Sequence, residues 1–162
     1  VGTIDSLWEA NMDLLNPKVP LDLYDDSWKI YARNPVMPPQ YVADGAVTRD
    51  AMISEGCFVE GEVDFSILFA GVVVEKGAIV HDSIVMPGSV IKAGAVVEYS
   101  IVAENVVVGE NAKIGCRPEN VEDKDNWGVT VIAKGIQIGK NVTVPAKAMI
   151  EKDIPEVGND DE

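Results

Sequence analysis

From residue 41 onward, apolar positions recur at steps of five or six residues, and glycine commonly falls between the steps. One such series is Val85, Ile91, Val97, Val102, Val108 and Ile114. A hexapeptide period corresponds to a short strand followed by a corner, and three steps close one triangular coil of about 18 residues. Because successive coils stack on each other, the pattern predicts an all-β fold, a parallel β-helix.

The coils differ in length. Triplets of a small, an apolar and an aliphatic residue begin at positions 51, 66, 83, 100, 130 and 148, at intervals of 15, 17, 17, 30 and 18 residues. The interval of 30 equals one coil of 17 residues and an insertion of 13, which we place at residues 116–128. We expect a loop that projects from a corner, either functional or simply solvated. Hexapeptide coils are known as left-handed, so we expect a left-handed β-helix.

Alternation along each short strand predicts which side chains face the interior. The small residue that precedes each aliphatic by two positions should point inward, and the middle residue of each triplet should point outward. The outward residues form one column: Met52, Ile67, Ile84, Ile101, Val131 and Met149. A continuous apolar column predicts a buried interface, whose partner is residues 1–40, a missing domain or another subunit.

Residues 1–40 lack the hexapeptide period. Apolar residues between positions 4 and 15 fall near helical spacing, and the Thr3 hydroxyl can cap such a helix. Asn16-Pro17 should end it. We therefore divide the chain into a trailing helix (1–20), an extended strap that can cover the first coil (21–40), the β-helix (41–154) and an acidic tail expected to be disordered (155–162).

Composition and charge narrow the possible functions. The chain is 47% apolar but only 6% aromatic, and its formal net charge is −14. A negative field of this size argues against binding to nucleic acid or to anionic membranes, and no apolar run approaches the roughly 18 residues of a membrane span. Two cysteines cannot build a disulfide framework, so we expect reduced thiols and a cytoplasmic location. The chain begins with Val1 rather than Met, which suggests a piece of a longer polypeptide.

Few side chains suggest chemistry by their position. His81 is the one conventional general base for acyl transfer, and we expect it to be a solvated corner residue. Cys57 falls in a small inward slot and should be a core thiol. Four cations near the insertion and in the late coils either hold a phosphate together or form a scattered solvated set. These cations are Arg117, Lys134, Lys140 and Lys147. We predict no catalytic residue and no metal site in this chain.

Several stretches resemble one enzyme family. They are residues 1–14 (Val-Gly-Thr-Ile-Asp-Ser-Leu-Trp-Glu-Ala-Asn-Met-Asp-Leu), 23–31, 38–41, 54–57, 59–61 and 83–88. The first resembles the end of the catalytic domain of bacterial glucose-1-phosphate adenylyltransferase (ADP-glucose pyrophosphorylase). The next two resemble that family's linker, and the others resemble its C-terminal hexapeptide domain.

The resemblance implies a parent enzyme that joins ATP and glucose 1-phosphate to give ADP-glucose and pyrophosphate, with magnesium, for glycogen synthesis. In that family the nucleotide-binding and sugar-phosphate residues lie upstream, and a metal-binding Asp immediately precedes the Val-Gly-Thr stretch. Gly2 and Thr3 match only the remnant of this motif. The resemblance therefore implies that this chain alone is catalytically inert and carries no cofactor of its own.

The family's C-terminal domain is regulatory and structural, which implies further partners. They are the chain's own catalytic domain, further copies in a tetramer, and a sugar-phosphate effector. Lys134 lies near the position of an anion-contacting lysine of the family, and Arg117 and Lys147 are further candidates. Two alternatives remain: an inactive regulatory paralogue of the same enzyme, and a stand-alone hexapeptide acyltransferase that uses His81 and coenzyme A.

Overall fold

The fold is given by a computed structural model, which describes residues 2–19, 23, 25–27 and 36–158. Most of the predicted strap (21–40) and the end of the acidic tail therefore lie outside the described residues. Near the N-terminus, helix α1 (Ile4–Met12) continues into a 3-10 helix at Asp13–Leu15. Two further 3-10 helices lie within the insertion, at Pro118–Asn120 and Lys124–Asn126.

Short parallel strands form three six-stranded sheets in the described residues. The first sheet contains β1 (Tyr41–Val42), β4 (Phe58–Val59), β7 (Val73–Val74), β10 (Val90–Ile91), β13 (Val107–Val108) and β16 (Gln137–Ile138). The second contains β2 (Val47–Arg49), β5 (Glu62–Asp64), β8 (Ile79–His81), β11 (Val96–Glu98), β14 (Lys113–Ile114) and β17 (Thr143–Val144). The third contains β3 (Met52–Ile53), β6 (Ile67–Leu68), β9 (Ile84–Val85), β12 (Ser100–Val102), β15 (Thr130–Ile132) and β18 (Met149–Ile150).

Each strand pairs with the strand three places later, so consecutive strands belong to the three faces of a prism. The register of the third sheet aligns Met52 with Ile67, Ile67 with Ile84, and Ile101 with Val131. These pairs reproduce the intervals predicted from the triplets, including the long one that carries the insertion. The prediction of an all-β parallel β-helix of hexapeptide repeats, preceded by a short helix, is confirmed.

Aliphatic side chains fill the interior of the prism, and small polar residues occupy its tightest positions. Leu68, Val85 and Ile132 are fully buried, as the pattern predicts. Ser66, Ser83, Ser100 and Thr130 are also fully buried. The Ser83 hydroxyl donates to the carbonyl oxygen of His81 over 2.6 Å and accepts from the backbone N–H of Ser100 over 3.1 Å. Serine at this position therefore gives the backbone N–H of Ser100 an acceptor and adds a second donor to the carbonyl oxygen of His81, which also accepts from the N–H of Tyr99.

The second coil is short because its first corner is reduced to two residues. Glu60 and Gly61 connect β4 to β5, where the other coils use four residues at the same corner. A Cβ atom on Gly61 would collide with the carbonyl oxygen of Ala78 in the next coil. Glycine is therefore needed for a close approach between two backbones, which explains the interval of 15 residues.

The last coil is covered by the chain that follows it. Ile154 forms a parallel bridge to Ile138, and the N–H of Val157 donates to the carbonyl oxygen of Lys140 over 3.0 Å. The expectation that the acidic tail is disordered from residue 155 is therefore wrong for its first part. The backbone of residues 154–157 adds to the open edge of β16, which otherwise would leave its hydrogen-bonding groups unpaired.

Helix α1 begins at a capping box. The Thr3 hydroxyl accepts from the backbone N–H of Ser6 over 3.2 Å, and the Ser6 hydroxyl in turn accepts from the N–H of Thr3 over 3.1 Å. This confirms the predicted cap and occupies the helix-terminal donors that lack partners within the helix. The helical segment ends at Leu15, and its C-cap residue Asn16 immediately precedes Pro17.

Candidate functional site

A column of polar side chains runs along the outer surface of the second sheet. The parallel register places Arg49 beside Asp64, Asp64 beside His81, and His81 beside Glu98. These residues end the strands β2, β5, β8 and β11, at the corner that leads to the third sheet. Stacked coils thus bring together charges that are far apart in the sequence.

Arg49 holds two carboxylates at one end of this column. Its Nη2 lies 2.7 Å from Glu62 Oε1 and 2.9 Å from Asp64 Oδ2, and its Nε donates to Asp64 Oδ2 over 3.1 Å. These hydrogen bonds raise the pKa of the Arg49 guanidinium above its ordinary value, with Asp64 as the main cause. One guanidinium therefore binds both carboxylates and offsets one of their two negative charges.

His81 is held between Glu62 and Arg117. Its Nε2 lies 3.2 Å from Glu62 Oε1, and its Nδ1 is hydrogen-bonded to Nη2 of Arg117. Because a guanidinium can only donate, Nδ1 accepts, and a neutral ring then carries its proton on Nε2. The expectation of a solvated histidine is wrong: the side chain is only 13% exposed, because the insertion folds back over it.

Arg117 is the residue through which the insertion reaches the column. Its Nε donates to Glu98 Oε1 over 2.9 Å while its Nη2 donates to His81. The hydrogen bond to Glu98 is the main reason that the pKa of Arg117 is raised. Arg117 therefore attaches the start of the insertion to two neighbouring coils.

The next position in the same corner has a left-handed backbone in four successive coils. Its residues are Asp50, Phe65, Asp82 and Tyr99, with φ between 42° and 48°. Burial raises the pKa of the Asp82 carboxyl, and the nearby charge of Arg117 partly opposes this rise. The carbonyl oxygen of Asp82 accepts a hydrogen bond from Trp8 Nε1 over 2.7 Å. Helix α1 is therefore also bound at this corner.

Three aromatic rings meet at this corner. Trp8 is stacked on Tyr99 with ring centroids 5.6 Å apart, and Trp127 meets Tyr99 edge-on at 5.2 Å. Trp127 Nε1 donates to the carbonyl oxygen of Cys116 over 2.9 Å, which closes the insertion on itself. Burial is the main cause of the raised pKa of the Tyr99 phenol. Residues from α1, the rod and the insertion are therefore in contact at one place.

Helix α1 covers the middle of the predicted outward column. Ile84 and Ile101 are 1% and 4% exposed and form a buried cluster with Met12 and Val129. Leu7 of α1 packs against this cluster. The remaining column residues differ in exposure: Ile67 is buried, Met52 and Val131 are half-buried, and Met149 is exposed. Of the partners considered, the chain's own first residues lie on the column; contact with another subunit stays a prediction.

The structure does not gather the four predicted cations into one site. Lys134, Lys140 and Lys147 follow β15, β16 and β17, so they occupy three different corners of the prism. Lys134 lies 2.5 Å from Glu104, Lys140 lies 3.0 Å from Glu110, and Lys147 Nζ donates to Asn126 over 3.2 Å. Their assignment to an anion site stays a prediction.

The described residues do not fit a magnesium site. Glu62, Asp64 and His81 are the one group whose potential ligand atoms all lie within 4.8 Å of one another in that part of the chain. A divalent cation there would have to displace Arg49 from both carboxylates. Gly2 and Thr3 are exposed, and Thr3 caps α1 rather than contributing to a metal site.

The two cysteines have different surroundings. Cys57 is 2% exposed, as predicted, and its Sγ donates to the carbonyl oxygen of Phe69 over 3.1 Å. Burial raises the pKa of this thiol. Cys116 is half-buried and lines a cleft of about 400 Å³ between the insertion and the last coil, together with Val121 and Pro145.

Sequence reasoning missed most of the polar column, although a signal was present. Arg49, Asp64, His81 and Glu98 each lie two positions before one of the aligned triplets. Extending that alignment backwards would have placed them side by side. The contact of Trp8 with Tyr99 had no comparable signal, because α1 lies outside the repeats.

Comparison with known proteins agrees with the fold. The model of the family described as GlmU-like, C-terminal hexapeptide, matches residues 38–138. Over 78 residues, or 48% of this chain, the sequence is 56% identical to glucose-1-phosphate adenylyltransferase of Geobacillus stearothermophilus and 54% identical to those of Bacillus mycoides (strain KBAB4) and Bacillus anthracis. These matches span only 20–21% of the length of the curated relatives.

Among solved structures, the acetyltransferase domain of PglB from Neisseria gonorrhoeae FA1090 is similar, at 23% identity and a TM-score of 0.49. That match covers 74% of this chain and 52% of the other. Within the described residues, no helix is long and apolar enough to cross a membrane. The match over residues 38–138, together with the three parallel sheets, leads to one conclusion: the chain belongs to the GlmU-like C-terminal hexapeptide family.

Proposed function

We propose that this chain is the β-helical domain of a glucose-1-phosphate adenylyltransferase, and that it serves assembly and regulation rather than chemistry. The parent enzyme would form ADP-glucose and pyrophosphate from ATP and glucose 1-phosphate in the cytoplasm, for glycogen synthesis. The observation that carries the proposal is the identity of 54–56% to three enzymes of that name over 78 residues. The magnesium ion would belong to the catalytic domain, because the carboxylates gathered here are already held by Arg49.

The environment of His81 supports a non-catalytic role for this chain. Both ring nitrogens are occupied, one by Glu62 and the other by Arg117. A general base needs a free nitrogen within hydrogen-bonding distance of the substrate's proton. His81 is thus poorly placed for the acyl transfer that the alternative function requires. An inactive regulatory paralogue would carry out the same role as the domain proposed here.

A partly exposed apolar column in the described part of the chain supports a role in assembly. On the first sheet, the register aligns Tyr41, Phe58, Val73, Val90 and Val107 on the outer surface. Tyr41 and Phe58 are 53% and 41% exposed, and their rings stack at 4.8 Å. The corresponding column of the second sheet is interrupted by Glu62 and Lys113. In a chain of net charge −14, an uncharged surface is where further copies can approach with least repulsion.

Regulation by a sugar phosphate would need cations from more than one part of the enzyme. Lys134 is exposed, with 68% of its side chain accessible, and Glu104 is its partner. We propose that an anionic effector competes with Glu104 for this lysine. Groups of the catalytic domain would complete the binding site of the effector. Arg117 is less suited, because Glu98 and His81 already accept its hydrogen bonds.

A direct assay tests the proposal. The purified chain is incubated with ATP, glucose 1-phosphate and Mg²⁺, and ADP-glucose is measured against a blank, with the Geobacillus stearothermophilus enzyme as positive control. We expect no product above the blank, and turnover by the chain alone would overturn the proposed non-catalytic role. Sedimentation velocity on the same sample tests assembly: we expect a mass above 17.4 kDa that falls in Phe58→Asp but not in Asp44→Asn. A single-chain mass at all concentrations would contradict it.

A further inference from the structure

Tyr99 lies between two segments that are distant in sequence. Its ring stacks on Trp8 of α1 on one side and receives the edge of Trp127 from the insertion on the other. Its own backbone belongs to the corner between β11 and β12, so it is anchored in the rod. Neither tryptophan is part of a coil, and each loses a ring contact if Tyr99 turns away.

A second, polar connection joins the same two segments. Trp8 Nε1 donates to the carbonyl oxygen of Asp82, and the preceding residue, His81, accepts from Arg117 of the insertion. The carbonyl oxygen of His81 also accepts from the backbone N–H of Tyr99 over 3.2 Å. The polar and aromatic connections therefore meet in two adjacent coils, at the same corner.

The backbone of this corner is held in a conformation that its residues do not favour. Tyr99 has φ of 43° and Asp82 has φ of 48°. A bulky residue in the left-handed region is strained, and such residues persist only where the surroundings hold them. Asp50 and Phe65 have the same conformation at this corner of the first two coils, so the stacked coils impose it. Trp8 and Trp127 pack on Tyr99 from outside the coils, and removal of either ring takes away one of the two ring contacts that hold the Tyr99 side chain in place.

We propose that α1 and the insertion open and close as one cooperative unit, with Tyr99 and the His81–Asp82 corner as the connection between them. A contact that displaces the insertion would then loosen α1, and a force on α1 would loosen the insertion. Such coupling between two segments is reciprocal, because it is a property of one shared equilibrium.

Native-state hydrogen exchange on the unchanged chain tests the proposal. Amide exchange is followed in Ile4–Met12 and in residues 116–128 over a range of sub-denaturing urea concentrations. We expect the slowest amides of both segments to converge on one opening free energy with one urea dependence, below that of the core strands β9 and β12. Two distinct opening free energies, each with its own urea dependence, would overturn the proposal.

A substitution in the insertion provides a second test. Trp127→Ala should accelerate exchange of the α1 amides at least roughly fivefold, the lower end of typical coupling between sites. The conservative Trp127→Phe keeps an aromatic edge beside Tyr99 and should restore most of the protection, although it loses the hydrogen bond to Cys116. Glu122→Ala, an exposed change in the same insertion, is the matched control and should leave α1 unchanged. Acceleration confined to the insertion in Trp127→Ala would contradict the coupling.

Discussion

Trp8 Nε1 donates a hydrogen bond to the backbone carbonyl oxygen of Asp82 over 2.7 Å, although the two residues are separated by 74 positions. This bond places α1 on the third sheet, where its apolar side chains cover Ile84 and Ile101. The helix that precedes the repeats is thus part of the packed body of the rod. The outward column that the repeat pattern leaves open is closed in its middle by the same chain.

Replacement of Trp8 should separate the contribution of its hydrogen bond from that of its ring. Trp8→Phe keeps a ring over Tyr99 but loses the donor to Asp82, and we expect it to lower the free energy of unfolding by about 1 kcal/mol. Trp8→Ala also loses the packing of a half-buried side chain and should cost about 2–4 kcal/mol. Urea denaturation measures both, with the exposed Glu9→Ala as control. Equal stability of the alanine variant and the parent chain would contradict the packing described here.

Two residues of the outward column should respond differently to the same truncation. Ile84 is 1% exposed beneath α1, whereas Met149 is 59% exposed at the far end of the sheet. Ile84→Ala should lower the free energy of unfolding by about 2–5 kcal/mol because it leaves a cavity. Met149→Ala should change it by less than about 0.5 kcal/mol. Similar losses in both variants would mean that the column is not covered as observed.

Loss of the hydroxyl of one buried serine should lower the free energy of unfolding. In Ser83→Ala the carbonyl oxygen of His81 loses one donor and the backbone N–H of Ser100 loses its acceptor. An unsatisfied buried group costs about 1–3 kcal/mol. The matched change Ser54→Ala lies at a half-buried corner, and we expect little effect there. Thermal and urea unfolding compare the two; a Ser83→Ala variant as stable as Ser54→Ala would refute the role of the hydroxyl.

The carboxyl of Asp82 should make the free energy of unfolding depend on pH, in a direction that its raised pKa determines. Burial raises the pKa of its carboxyl in the folded chain, so the folded state binds the proton more tightly than the unfolded state. The charged carboxyl therefore destabilises the fold above its folded pKa, and this cost disappears as the pH falls towards the ordinary value of about 3.9. Asp82→Asn should be more stable than the parent at pH 7, since asparagine also tolerates the left-handed backbone.

The check is the difference in urea midpoint between Asp82→Asn and the parent at several pH values. We expect this difference to be positive at pH 7 and to shrink towards zero near pH 4. A variant that is less stable at pH 7 would show that the interaction of the carboxylate with Arg117 outweighs its burial.

The tautomer of His81 is a direct consequence of its neighbours. Because Arg117 can only donate to Nδ1, the neutral ring must carry its proton on Nε2 and donate it to Glu62. The nitrogen chemical shifts of the imidazole distinguish the two tautomers, and the chain has a single histidine, so the signals need no further assignment. We expect the neutral ring to be in the Nε2–H form. A dominant Nδ1–H form would contradict the contact with Arg117, and Arg117→Gln should allow the two forms to mix.

The repeat period predicts the interior of this protein better than its exterior. Inward positions such as Val85 and Ser83 follow from alternation alone, because every coil closes on the same axis. Outward contacts also depend on what lies beside each face. The burial of His81 follows from the path of the insertion, and that of Ile84 follows from the docking of α1. Neither path is periodic, so neither could be obtained by aligning repeats.

The cations illustrate the same limit in another way. Only six or seven residues separate Lys134, Lys140 and Lys147 in the sequence, so their side chains could be expected to lie close together in space. In a triangular coil that spacing moves a residue from one corner to the next, so the three side chains diverge. Residues 15 or 17 positions apart, such as Arg49, Asp64 and His81, are the ones that come together.

Helix α1 belongs to the same packed body as the rod of its own chain, and the indole N–H of Trp8 reports on this contact. In an NMR sample made of equal parts of labelled and unlabelled chain, Trp8→Phe identifies the Trp8 indole resonance. We predict slow solvent exchange of this proton and contacts to the Tyr99 ring within one chain. Exchange as fast as that of a free indole, or contacts found only between differently labelled chains, would show that α1 does not pack on the rod of its own chain.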